Sequence, residues 1–262
     1  MRPNRLRELL KAGKPSVGTH IHISWPSVVE LVGMSGHFDY VEFVAEYAPY
    51  DLYALENIGR AIDLYGMSGM MKIEQQPRTY WAIRAIGSGI QNCLFADVRT
   101  VEDAVECVRS VRAETPTTGG IHGVGARRDC GFGAEAGSQA WVQALEDSVV
   151  ALMIEKKEAV ENLEAILSVK GIDMVQFGPA DYSVSMGLAG QRGHPAVKEA
   201  EEYVIQTALK KGIQPRSECP VSEYERYLNM GVRHFCTGTD MATLRMWFNE
   251  NGKRIREMLS GV

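Results

Sequence analysis

The feature that most constrains this chain is a rhythm. Short apolar runs of strand character alternate with longer segments of helical periodicity, eight times over 262 residues. The runs are Val17 to Ile23, Tyr40 to Val44, Gly69 to Ile73, Ile90 to Phe95, Val149 to Ile154, Met174 to Phe177, Ile213 to Ser217 and Val232 to Thr237. Between them, Leu52 to Tyr65 carries apolar residues at Leu52, Leu55, Ile58 and Ile62, a helical spacing. Lys157 to Val169 does the same with Val160, Leu163, Ile166 and Leu167. Strands alternating with helices predict a parallel sheet. Eight such units in a chain of this length favour an α/β protein of the closed (β/α)8 (TIM) barrel type over an open doubly wound sheet. A short basic helix over 3–11 precedes the first strand, and a helix from Met241 to Met258 closes the chain.

The rhythm breaks once, over 114–138, where Gly and Thr accumulate. Strands resume beyond it without a linker, so 1–262 reads as one barrel domain. A loop this long is usually functional or mobile. It reads as a rim loop, whose Arg127 and Arg128 either recognise a carboxylate at the far end of a substrate or are simply solvated.

Charge and cysteine usage exclude several functions. The net charge is −5 and no basic cluster exceeds Arg127-Arg128, which argues against a nucleic-acid partner. No apolar run approaches the ~20 residues of a membrane span, and Met1 to Leu6 lacks the apolar core of a signal peptide. The five cysteines are scattered, with no Cys-x-x-Cys pair. They read as reduced thiols of a cytoplasmic protein.

In a barrel, chemistry sits where strands end. Those ends carry His20 and His22, Glu46-Tyr47, Lys72 and Glu74, Asp97, Glu155, Asp181, Glu218 and Asp240. The plainer reading of any one such acid is a helix cap. Glu155 resists it, because it directly ends the apolar run Val149 to Ile154. Asp181 follows the next strand across the break Gly178-Pro179. Two acids on consecutive strand ends converge and suit a hard divalent cation that keeps positions open for substrate oxygens.

At this point the residues resemble a known family. Leu152 to Lys157 with Glu161 to Ile166, then Gly171-Ile172-Asp173, Gly178-Pro179-Ala180-Asp181-Tyr182-Ser183 and Gly193-His194-Pro195 are similar to the class II pyruvate aldolases. These are the 2,4-dihydroxyhept-2-enedioate and 2-dehydro-3-deoxyglucarate aldolases, relatives of citrate lyase β chains. Glu46-x-Ala48-Pro49-x-Asp51, Gly123-Val124-Gly125-Ala126 and Gly238-x-Asp240 extend the likeness over nearly the whole chain. The resemblance implies a barrel whose last helix is exchanged between subunits of a homo-oligomer, a trimer or hexamer. It implies a divalent metal, Mg²⁺ or Mn²⁺ with Co²⁺ or Zn²⁺ as alternatives, on Glu155 and Asp181. It implies a pyruvate-like 2-oxo acid whose carboxylate rests on the turn Gly178, Pro179, Ala180 and Asp181, and a carbon–carbon lyase reaction through a metal-held enolate.

The departures fall on proton transfer. The family's His after Glu46 is Tyr47, and the Asp two residues before that Glu is Val44. The strand-three Arg becomes Lys72, the Asp lent by a neighbouring subunit aligns near Gly87, and the Gln two residues before Glu155 is Met153. On this reading Lys72 supplies positive charge to the enolate oxygen, without the planar fork of Arg. Tyr47 orients rather than deprotonates, since phenols titrate near 10, and Glu46 stands beside it. His20 is the first candidate for the missing base, with a plain rim histidine as the alternative. A decarboxylase of an oxaloacetate-like acid, which needs no base at C3, remains open, as does a non-catalytic 2-oxo-acid binder.

Overall fold

The computed structural model describes residues 1–261. Eight parallel strands close into a barrel in chain order. They are β1 (Ser16–Ile21), β2 (Tyr40–Phe43), β3 (Ser68–Ile73), β4 (Asn92–Phe95), β5 (Val150–Ile154), β6 (Met174–Phe177), β7 (Gln214–Glu218) and β8 (His234–Thr239). Each lies within two residues of the apolar run that predicts it. Closure is by β1 on β8, with Ser16 beside His234 and Gly18 beside Cys236.

Helices fill the connections. α1 (Arg5–Lys11) precedes β1, and α2 (Ser27–Ser35), α3 (Leu52–Leu64), α4 (Arg78–Ser88) and α5 (Val101–Val111) follow the first four strands. α6 (Gln139–Glu146) leads into β5, and α7 (Lys157–Glu161) and α8 (Leu163–Ile166) follow it. α9 (Pro179–Ser185) and α10 (Pro195–Lys210) follow β6, α11 (Tyr224–Asn229) follows β7 and α12 (Asp240–Leu259) follows β8. The helices start where their sequence stops the strand. Asp51 caps α3 by accepting the Ala54 N–H at 2.7 Å, and Leu55, Ile58 and Ile62 turn one face inward. Thr100 and Asp103 cap α5 reciprocally. No helix among the described residues is long and apolar enough to cross a membrane.

Alternate strand residues face the helix layer and the lumen. The floor of the lumen is apolar, and α1 plugs it with fully buried Leu6, packed among Met70, Leu94, Ala151 and Met174. Polar contacts fix the plug. Asn4 donates to Asn92 Oδ1 at 2.7 Å, and Arg7 grips both oxygens of Asp173 at 2.6 Å. Above the plug the Tyr40 ring lies against Gly18, where a Cβ would meet the ring at 2.3 Å. Any side chain at 18 would displace it. Higher still the lumen turns ionic, with Arg216 and Glu42 forming an ion pair that neither residue shares with solvent.

One expectation is overturned. Segment 114–138 joins α5 to α6, so it lies with the strand starts and the helix ends, on the face opposite the strand ends. Arg127 packs against Gly87 at the end of α4 and reaches His122 Nε2 at 3.2 Å. Arg128 pairs with Asp63 at the end of α3. The glycines suggest mobility, but α5 has already completed the excursion from β4. The segment after α5 is a return path, and neither arginine faces this chain's strand ends.

The enclosed pair yields a prediction. Arg216→Met leaves buried Glu42 with His20 as its one close partner, and unfolding in denaturant should show a loss of about 3–5 kcal/mol. The double variant Arg216→Met with Glu42→Leu removes both charges and should recover most of that loss.

Candidate active site

A cavity of about 320 Å³ opens at the strand ends, lined by His20, His22, Tyr47, Lys72, Glu155 and the turn from Gly178 to Asp181. The structure thus gathers the residues singled out from the sequence, Glu46 joining them through its contact with Lys72.

Glu155 leaves β5 buried. Its Oε1 accepts the Asp97 N–H at 2.8 Å, where the chain passes through a φ of 54°. Burial raises the Glu155 pKa, and Lys72 and the Asp97 N–H offset this only in part. A carboxylate so placed is short of positive charge. The end of β6 comes very close to it: a Cβ on Gly178 would stand 2.6 Å from both Cβ and Oε2 of Glu155. Glycine at 178 is therefore a requirement of close approach.

The turn itself differs from expectation. The Gly178 N–H donates to the Ile154 carbonyl at 3.1 Å as part of the barrel ladder, so it is not available to a ligand. Pro179 has no N–H. The open donors are those of Ala180 and Asp181 in the first turn of α9, which have no acceptor within the helix. Asp181 Oδ1 accepts from Lys156 Nζ at 2.8 Å, and the side chain is 47% exposed. Both residues line the cavity, and Glu155 Oε2 and Asp181 Oδ2 have no hydrogen-bond partner among the described residues. An all-oxygen donor set of two carboxylates fits a hard divalent ion. A second convergence, His20 with Glu42 and Cys236, brings donor atoms within 4.8 Å of one another. There the Arg216 guanidinium already serves as the cation for Glu42.

Lys72 lies at the cavity wall on β3. Its Nζ is 2.6 Å from Glu46 Oε2 and donates to Tyr47 Oη at 3.1 Å. Burial works against its charge, but the hydrogen bond and charge of Glu46 outweigh it and raise the pKa further. Lys72 is a permanent ammonium, suited to meet negative oxygen and unsuited to form an imine. Burial likewise raises the Tyr47 phenol despite Lys72 nearby. Tyr47 therefore offers a hydrogen bond and not a base. The backbone N–H groups of His22 and Ile23 donate to Asp240, and the His22 imidazole Nδ1 lies 3.4 Å from Asp240 Oδ1.

His20, next to last in β1, lines the cavity but is not exposed on the rim. It stands buried inside β1, with Nε2 3.3 Å from Glu42 Oε1 and Nδ1 3.7 Å from Glu218 Oε1. Burial alone would lower its pKa, but Cys236 and Glu42 outweigh burial and hold the imidazole well above its usual range. A raised imidazole suits proton donation, and the same ring is the base when the reaction runs the other way. Sequence reading missed its partners Glu42 and Arg216. The signal was present: both are charges inside strands, Glu42 at the same parity as the lumen residue Tyr40.

The model of the HpcH/HpaI aldolase/citrate lyase family matches residues 26–244. The 5-keto-4-deoxy-D-glucarate aldolase of Klebsiella pneumoniae subsp. pneumoniae is 29% identical over 246 residues, 93% of either chain. Its counterpart in Shigella boydii is 28% identical over 247 residues, again 93% of either chain. The crystal structure of the HpcH/HpaI aldolase from Desulfitobacterium hafniense DCB-2 superposes with a TM-score of 0.87 at 27% identity, covering 97% of this chain and 98% of that one. The match runs from the start of α2 into α12 and takes in every strand end from β2 to β8, so this chain belongs to the HpcH/HpaI aldolase/citrate lyase family.

Proposed function

We propose that this chain is a metal-dependent aldolase that makes or breaks a carbon–carbon bond in a hydroxylated 2-oxo acid, by way of a pyruvate enolate. The observation that carries the reading is the contact of β5 and β6 at their ends. It sets buried Glu155 against the Gly178–Asp181 turn in the cavity that also holds Lys72. A divalent ion on Glu155 and Asp181, Mg²⁺ or Mn²⁺ before Co²⁺ or Zn²⁺, would supply a Lewis acid for the ketone.

The chain's own groups do the rest. The Ala180 and Asp181 N–H groups receive the substrate carboxylate. The Lys72 ammonium meets the charge that develops on the enolate oxygen, where preorganised charge acts most strongly. Glu46 and Tyr47 hold Lys72 in place, and the Tyr47 hydroxyl orients the substrate. His20 exchanges the proton at C3. Decarboxylation would use the same electrophile, but the names of the relatives favour aldol chemistry over it and over a non-catalytic binder. Five free, buried cysteines accord with a reducing, cytoplasmic setting.

With Mg²⁺ or Mn²⁺ and pyruvate in D₂O, NMR should show the methyl protons exchanging. Lys72→Met should slow that exchange by about 10²–10³-fold. Glu155→Gln should abolish it and weaken Mn²⁺ binding measured without substrate. Metal binding and exchange both intact in Glu155→Gln would sink the reading.

Assembly belongs to the same proposal. α12 buries no residue against its own chain and exposes Leu244, Trp247, Phe248, Ile255 and Met258. So much exposed apolar surface on one helix marks an interface. The reading is a homo-oligomer, trimer or hexamer, in which α12 docks on a second copy. Light scattering should find that oligomer, and Trp247→Glu with Phe248→Glu should reduce it to monomers. A wild-type monomer would end this part of the proposal.

A further inference from the structure

We propose that His20 is the acid that protonates C3 of the enolate, with Glu42 and Arg216 fixing its orientation and Glu218 returning protons to it from solvent. The proposal rests on the enolate reading and adds the proton-handling residues to it.

The geometry assigns the parts. His20 carries a carboxylate at each ring nitrogen, and the two differ in kind. Glu42 faces Nε2 from β2, wholly buried and already neutralised by Arg216. A carboxylate so paired is a fixed anion and not a proton store. Its task is to keep Nε2–H in place. Arg216 Nη2 lies 3.5 Å from His20 Nε2, the spacing of two donors that share one acceptor. Glu218 faces Nδ1 from the end of β7, and there the exposure changes sharply. The His20 side chain is 4% exposed and that of Glu218 is 53% exposed. Gln176 Nε2 steadies Glu218 Oε2 at 3.3 Å. His20 by itself hardly touches solvent, and Glu218 reaches both the imidazole and the water outside. Every member of the set lines the same cavity as Glu155 and Gly178.

The step balances. The Nδ1–H bond of the imidazolium breaks and a C3–H bond forms, while the enolate charge returns to a C2 carbonyl. The neutral imidazole keeps Nε2–H on Glu42, so no ring flip or tautomer change is needed. Glu218 then takes a proton from solvent and passes it to Nδ1, returning to the carboxylate. In the reverse direction, neutral His20 removes a C3 proton from pyruvate. Glu42 of β2 and Cys236 of β8 set the imidazole's titration against its burial, and Arg216 and Glu218 of β7 stand beside the ring. The raised imidazole pKa agrees with the donor role.

The test uses the full chain with Mn²⁺ and pyruvate in D₂O. Glu218 is half outside, so Glu218→Gln should keep the fold. It should slow C3 exchange about 10–100-fold with KM for pyruvate unchanged. His20→Asn should lose the larger share expected of a general acid–base, about 10²–10⁴-fold. Glu218→Asp should restore part of the rate. In parallel, ¹⁵N-histidine NMR, assigned with His20→Asn, should find His20 protonated at neutral pH, with its midpoint lowered in Glu218→Gln. A merely structural Glu218 moves neither the exchange rate nor the His20 midpoint, and that pair of results overturns the proposal. Exchange by wild type that both variants match refutes this inference alone. No exchange by wild type removes the enolate reading and this inference together.

Discussion

The ion pair between Arg216 and Glu42 organises the upper lumen. Neither charge has water to fall back on, so each is committed to the other and to its neighbours. A buried pair is poor evidence of net stability, because desolvation consumes much of the attraction. Its effect here is on placement. Glu42 reaches His20 on one side and Arg216 on the other, and Arg216 also lies 5.5 Å from the centre of the Tyr40 ring. Tyr40 in turn requires glycine at 18. A cation, an anion, an imidazole and a ring thus hold one another in a single arrangement, directly beneath the cavity. His20 inherits its orientation from that arrangement.

A second constraint governs the opposite wall. The ends of β5 and β6 approach until only glycine fits at 178. That proximity puts Glu155 beside the first turn of α9 and uses the Gly178 N–H in the ladder, so the helix start at Ala180 and Asp181 offers the remaining donors. Lys72 stands between the two walls, drawn to Glu46 and in hydrogen-bond contact with Tyr47.

Most of the architecture was legible in the sequence because it follows from periodicity. Strand runs and helical spacing depend on neighbours along the chain, and barrel closure follows from their number. The positions of Glu155 and Asp181 were legible for the same reason: one directly follows β5 and the other lies in the turn after β6. Glu42 and Arg216 were not, because their role depends on which residues meet across the lumen, between β2 and β7. A charge within a strand gives no hint of its partner far along the chain. The segment 114–138 misled for a different cause. Glycine content reports backbone freedom and says nothing of the face on which a loop lies; the alternation of strands and helices does, and it puts Arg127 and Arg128 at the strand starts. The surroundings of His20 were not legible either, since its titration is set by Cys236 and Glu42, neither of them near in sequence.

The plug formed by α1 carries a consequence for synthesis. Arg7 is made before its partner Asp173, which comes 166 residues later. Asn4 must wait for Asn92, and Leu6 for strands as late as β6. On the ribosome α1 therefore emerges before the strands that cover its apolar side, which stays uncovered until most of the barrel exists. Contacts of such long sequence separation slow folding, and exposed apolar surface during that delay invites aggregation. The basic residues Arg2, Arg5, Arg7 and Lys11 keep this waiting segment charged.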